Sequence, residues 1–134
     1  MDETLVELVW ERARVRCEYC CLSQVLCDFS LEIDHIIAKK HGGKAVASNL
    51  ALTCFYCNSY KGPNIAGIDP QSKRLVGLFN PRRHKWSRHF RWEGAVLAGR
   101  TARGRATIAV LQINHPDFVE EREWLIAEGL FPPD

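Results

Sequence analysis

Residues 31–58 read LEIDHIIAKKHGGKAVASNLALTCFYCN, and the order of residue types in them decides the architecture. From Phe29 to Ile37 the side chains alternate or run apolar, which predicts a strand. His41-Gly42-Gly43-Lys44 predicts a turn, with glycines supplying backbone angles that other residues avoid. Leu50 to Thr53 predicts a second short strand, and Cys54 to Tyr60 a short helix that Gly62-Pro63 ends. Ile33-Asp34-His35-Ile36-Ile37 sets an acid beside an imidazole at the first strand. Successive strand side chains point to opposite faces, so Asp34 and His35 reach one point only through a bend or a metal close to the backbone.

Cysteines bound this segment. Cys17 and Cys20 form one pair and Cys54 and Cys57 another, each with two residues between, and 33 residues separate Cys20 from Cys54. Four thiolates from two such pairs make a closed tetrahedral zinc site. Zinc would close a long loop around both strands, a useful staple for a chain of 134 residues with a modest apolar core. Cys21 and Cys27 are left over and read as small thiols outside the site, since Cys21 adjoins Cys20 and does not easily join the same tetrahedron.

Outward from this segment, Leu5, Leu8, Val9 and Arg12 suggest a helix through about Arg14. On the other side, Leu75 to Phe79 and Trp92 to Leu97 read as strands, and Thr101 as the cap of a helix from about Gly104 to Ile113. A last helix is expected from about Asp117, stopped by Gly129. The net charge of +2 is unevenly spread. Ten Lys or Arg lie between Lys73 and Arg105 against one acid, Glu93, whereas the tail from His115 to Asp134 is acidic. This pattern reads either as a polyanion-binding face or as a solvated surface. Aromatics interleave with the cations, and Trp86, Phe90 and Trp92 read first as core anchors.

The string CEYC … EIDHI … GG … NLALTC … CN … KG, from Cys17 to Lys61, resembles the HNH endonuclease family with its ββα-metal active site. The resemblance implies an α+β fold: a ββα-metal core stapled by Cys17, Cys20, Cys54 and Cys57, and a C-terminal strand-and-helix extension. Residues 1–66 would be the core and 67–134 the extension packed on it. The family's His, Asn, His triplet falls at His35, Asn49 and Asn58. Asparagine at the third position favours a hard cation such as Mg²⁺ (or Mn²⁺). On this reading His35 is the general base, because imidazole titrates near operating pH. Asn49 holds the His35 ring by side chain or backbone, Asp34 and Asn58 bind one divalent cation, and Lys61 steadies the phosphate. The implied reaction is hydrolysis of DNA, expected double-stranded, leaving 5′-phosphate and 3′-hydroxyl ends. Arg82, Arg83, Lys85, Arg88 and Arg91 are the expected contacts to its backbone, which position without reading bases.

Two rival readings share these residues: a non-catalytic zinc module that binds nucleic acid, and a nuclease directed at RNA. No run approaches the roughly 18 apolar residues of a membrane span. The acidic, amphipathic start MDETLVELVWERAR lacks the basic-then-apolar order of a secretory signal. A cytoplasmic, reducing setting is therefore expected, where clustered cysteines bind metal more often than they pair.

Overall fold

A computed structural model describes residues 1–133, so Asp134, the last acid of the tail, lies outside it. The chain opens with α1, Glu3–Arg12, capped by the Asp2 carboxylate, which accepts from Thr4 N. Val9 on α1 is fully buried, and the Arg12 guanidinium donates to the Leu50 carbonyl at 2.7 Å. Arg14 and Val15 both turn through positive φ and deliver Cys17.

β1 (Glu32–His35) pairs antiparallel with β2 (Leu50–Thr53), in a register that sets Glu32 opposite Thr53 and His35 opposite Leu50. α2 follows at once as Phe55–Lys61, so the order strand, strand, helix is as the sequence predicts. All four β2 residues are buried, which explains an apolar run in place of alternation. β1 is shorter than the Phe29–Ile37 strand expected. Phe29 is 59% exposed and lies outside the ladder. At the other end the Asn49 carboxamide takes both backbone groups of Ile37, so no strand partner reaches them.

Beyond α2, β3 (Ala66–Ile68) pairs with β4 (Leu75–Gly77). The sequence reading missed β3 and extended β4 to Phe79. Gly67 is why β3 packs closely: a Cβ there would sit 2.4 Å from the Val110 side chain. A single turn of helix, α3 (Trp86–His89), also escaped prediction. The strand expected at Trp92–Leu97 is instead a hairpin of β5 (Phe90–Glu93) and β6 (Val96–Gly99). Gly94, at φ +61°, makes the turn that splits it. α4 (Ala102–Leu111) has its N-cap at Thr101, as expected, with Thr101 Oγ1 accepting from Gly104 N. α5 (Pro116–Ala127) begins with His115 as cap.

The fold is thus α+β, with three separate two-stranded sheets. One buried cluster runs from Val9 through the four knuckle cysteines and β2 to Phe79, Phe90, Leu97 and Leu111. The Phe90 and Trp92 rings each lie tilted against Trp86 at this junction, and the Trp86 indole donates to the Tyr19 carbonyl at 2.9 Å. Among the described residues no helix is long and apolar enough to cross a membrane.

Candidate metal centres and active site

The paired spacing of the cysteines becomes a cluster because β2 ends where α2 begins. Cys54 caps α2, its sulfur accepting from Cys57 N at 3.4 Å, while the turn after α1 brings Cys17 and Cys20 from the far side. The four sulfurs all lie within 4.8 Å of one another and all four residues are buried. Cys20 Sγ and Cys54 Sγ are 3.7 Å apart. A tetrahedron with zinc–sulfur bonds of about 2.3 Å requires sulfurs about 3.8 Å apart, so these residues fit zinc. Hydrogen bonds from Cys17, Cys20 and Cys57 hold the Cys54 thiol far below its usual range, and its neighbours push Cys20 and Cys57 up. Cys21 and Cys27 stand apart from the tetrad.

Next to this cluster, β1 presents Asp34 and His35. Lys61, at the last position of α2, reaches back to both: its Nζ lies 2.9 Å from Asp34 Oδ2 and donates to the His35 carbonyl at 3.2 Å. Lys61 is 2% exposed and Asp34 11%. Burial pushes the Asp34 carboxyl above its usual range, and the Lys61 ammonium pulls it partly back. His35 is half-buried, and its Nε2 is sealed with no hydrogen-bond partner. A buried ring nitrogen without a partner is uncommon in a purely structural histidine. Asn58 lies one turn before Lys61 on α2, and i and i+3 side chains share a helix face.

Asn49 is placed differently from the sequence expectation. Its Oδ1 accepts from Ile37 N at 2.9 Å, and its Nδ2 donates to the carbonyls of Ile37 and Lys44, both at 3.0 Å. Its carbonyl accepts from Ile36 N at 2.8 Å. These bonds fasten the β1–β2 loop rather than the His35 ring. Lys61 also differs, since its ammonium is engaged with Asp34 instead of open to a phosphate. Tyr19, which the sequence gave no reason to select, is fully buried with an unpartnered hydroxyl, its pKa raised by burial and then by Asp34.

The basic stretch divides into two sets. Arg82 is half-buried, ion-paired with Glu18, and donates to the Leu50 carbonyl at 3.2 Å. Glu18 in turn accepts from Leu52 N at 2.9 Å, so Arg82 is a structural latch and no longer a candidate for DNA contact. Arg91 pairs with Glu93 at 2.8 Å on the β5–β6 hairpin. Arg83, Lys85 and Arg88 are exposed on one face. Arg100, Arg103, His84 and His89 join them there, because the hairpin returns the chain to α3. The signal for Arg100 and Arg103 was their place in the basic run, but only the hairpin brings them to this face.

No curated protein and no solved structure matches the chain significantly. The segment holding both knuckles with Asp34, His35, Asn49, Asn58 and Lys61, residues 17–64, matches the family model of the HNH endonuclease.

Proposed function

We propose that the protein is a metal-dependent endonuclease that hydrolyses phosphodiester bonds in DNA. The observation that carries this reading is His35, an imidazole with an unpaired buried nitrogen, adjoining a buried carboxylate inside the matched segment. Asp34 and Asn58 offer oxygen donors that would hold one hard divalent cation, Mg²⁺ or Mn²⁺. Such an ion supplies Lewis acidity at the phosphate and at the departing oxygen. His35 takes the proton of the attacking water as the new phosphorus–oxygen bond forms and the 3′ oxygen leaves. Asn49 keeps the β1–β2 loop closed, so that the backbone carrying His35 holds its place. Lys61 balances the Asp34 charge and, through its bond to the His35 carbonyl, steadies β1 at this point. Zinc at the four thiolates is structural, because a closed site of four protein ligands leaves no position for water. Six cysteines with no disulfide between them suit a reducing, cytoplasmic setting.

The deciding experiment incubates supercoiled plasmid with Mg²⁺ and compares wild type with His35→Ala. Loss of a general base predicts a fall of about 10²–10⁴ in rate. Equal nicking by both proteins, or none by either while DNA is retained, would identify a binding module. Mg²⁺-dependent loss of RNA with the plasmid spared would identify an RNA-directed enzyme.

A further inference from the structure

The cations of the basic stretch are partitioned in a way that spacing does not reveal. Arg82, Arg91 and Arg105 each face a carboxylate: Glu18, Glu93 and Asp69. Arg83, Lys85, Arg88, Arg100 and Arg103 have no carboxylate partner among the described residues. Those five line one open cavity of about 750 Å³, and no acid borders it. Like charges gathered round one hollow repel, and the arrangement is relieved by an anion seated among them.

The walls are held rather than loose. Arg103 donates to the Leu78 carbonyl at 3.2 Å and Arg100 to the Ser87 carbonyl at 3.3 Å. Each guanidinium carries five N–H donors, so both retain donors for a ligand. Ser87, His84 and His89 complete the lining, the two imidazole rings 5.4 Å apart. His84 Nδ1 accepts from Asn80 N at 2.9 Å, which leaves the ring proton on Nε2 and makes this imidazole a neutral donor. His89 is 8% exposed, and Thr101 Oγ1 holds its Nδ1 at 2.7 Å. Burial and then Arg103 keep both imidazoles below their usual pKa.

A second hollow of about 230 Å³ is bordered by Lys61 and Asn80, and it shares Arg83, His84 and Arg103 with the first. The two hollows therefore adjoin along these three side chains, a tract whose smaller end is bordered by Lys61, the partner of Asp34. The larger hollow lies wholly outside residues 17–64.

We propose that this tract seats the backbone phosphates of the DNA strand to one side of the cut, with Arg83, Lys85, Arg88, Arg100 and Arg103 as counter-charges and the His84 and His89 rings as part of the wall. The inference rests on the phosphodiester substrate of the preceding section. The same chemistry would accept free phosphate, which the test separates.

The test follows binding of a fluorescent DNA duplex to full-length wild type and variants by anisotropy across a NaCl titration, without added Mg²⁺. Arg88→Gln and Arg100→Gln should each lower the slope of log affinity against log salt by about 0.9, the value of one phosphate contact. Arg91→Gln, already paired with Glu93, should leave the slope unchanged. Equal slopes throughout, or an equal loss in Arg91→Gln, overturn the proposal. In a second arm, imidazole resonances of His84 and His89 should shift with duplex at concentrations where inorganic phosphate alone leaves them still. Equal response to inorganic phosphate would assign the cavity to the free ion and overturn the strand assignment. An intact plasmid in Mg²⁺ beside the expected slopes would sink the nuclease reading alone. Cleavage with unchanged slopes would sink this one alone.

Discussion

Lys61 Nζ lies 2.9 Å from Asp34 Oδ2 in a pair nearly sealed from solvent. An ammonium therefore stands where the carboxylate would otherwise be a lone buried charge. Removing one partner of a buried pair costs about 3–5 kcal/mol, and partial exposure of Asp34 puts Lys61→Met at about 3 kcal/mol near neutral pH. The sign of the pH dependence follows from Asp34, whose folded pKa is already raised. Stability tied to such a group is complete below its unfolded value and is lost as pH rises through the folded one. Without Lys61 the folded value rises further, so the deficit against wild type should shrink between neutral pH and a pH near the unfolded carboxyl value of about 3.9. Urea unfolding at both values measures it, and a deficit independent of pH would refute the pairing.

The β1–β2 loop should be fragile at two positions. Asn49→Ala removes three side-chain hydrogen bonds, worth about 1 kcal/mol each, hence about 2–3 kcal/mol in all. Gly43→Ala would drive a methyl to 1.6 Å from the Ile37 carbonyl oxygen, where backbone and not a pliable side chain must yield. Gly94, by contrast, faces open space and carries only positive-φ strain, about 1–2 kcal/mol on substitution. Thermal melts should rank Gly43→Ala well below Gly94→Ala. The reverse order would mean the loop is not packed as described.

Asp69 accepts from Arg105 Nε at 2.9 Å and Nη2 at 3.0 Å, and from Gln71 N, Ser72 N and Ser72 Oγ. It ties the β3–β4 turn to α4. Arg105 foremost, then Ser72, hold its carboxyl far below the usual range. A depressed carboxylate contributes stability above its unfolded value of about 3.9 and loses it as pH falls below that. Asp69→Asn should therefore melt lower than wild type at neutral pH, and the gap should narrow in acid. A gap that widens in acid would contradict the assignment.

Metal analysis should find one zinc per chain, absent from Cys57→Ser. Structural zinc contributes about 10–16 kcal/mol of apparent binding energy, against a total stability of about 5–15 kcal/mol for a domain. Loss of zinc should therefore unfold the segment outright, seen as collapse of the near-ultraviolet circular dichroism. A folded, zinc-free Cys57→Ser would leave the tetrad without a structural role.

Much of this molecule was legible in one dimension because its signals are local. Two cysteine pairs at fixed spacing, the strand–turn–strand–helix order and the Thr101 cap each depend on neighbours in the chain, and each is found where the sequence puts it. The errors lie where distant segments compete. Gly94 splits a strand that composition makes continuous, and Gly67 lets β3 pair with β4 where a larger side chain would meet Val110.

The two cysteine pairs of the tetrad and the acid–imidazole neighbours on β1 were thus readable from the chain alone, since ligand spacing and backbone periodicity are short-range properties. Tertiary structure alone decided the partners. Arg82 meets Glu18 across 64 positions, Lys61 turns to Asp34, and Asn49 grips a loop in place of a ring. A charge or a carboxamide has several possible partners of similar energy, and only the packing of whole elements fixes which one lies within reach.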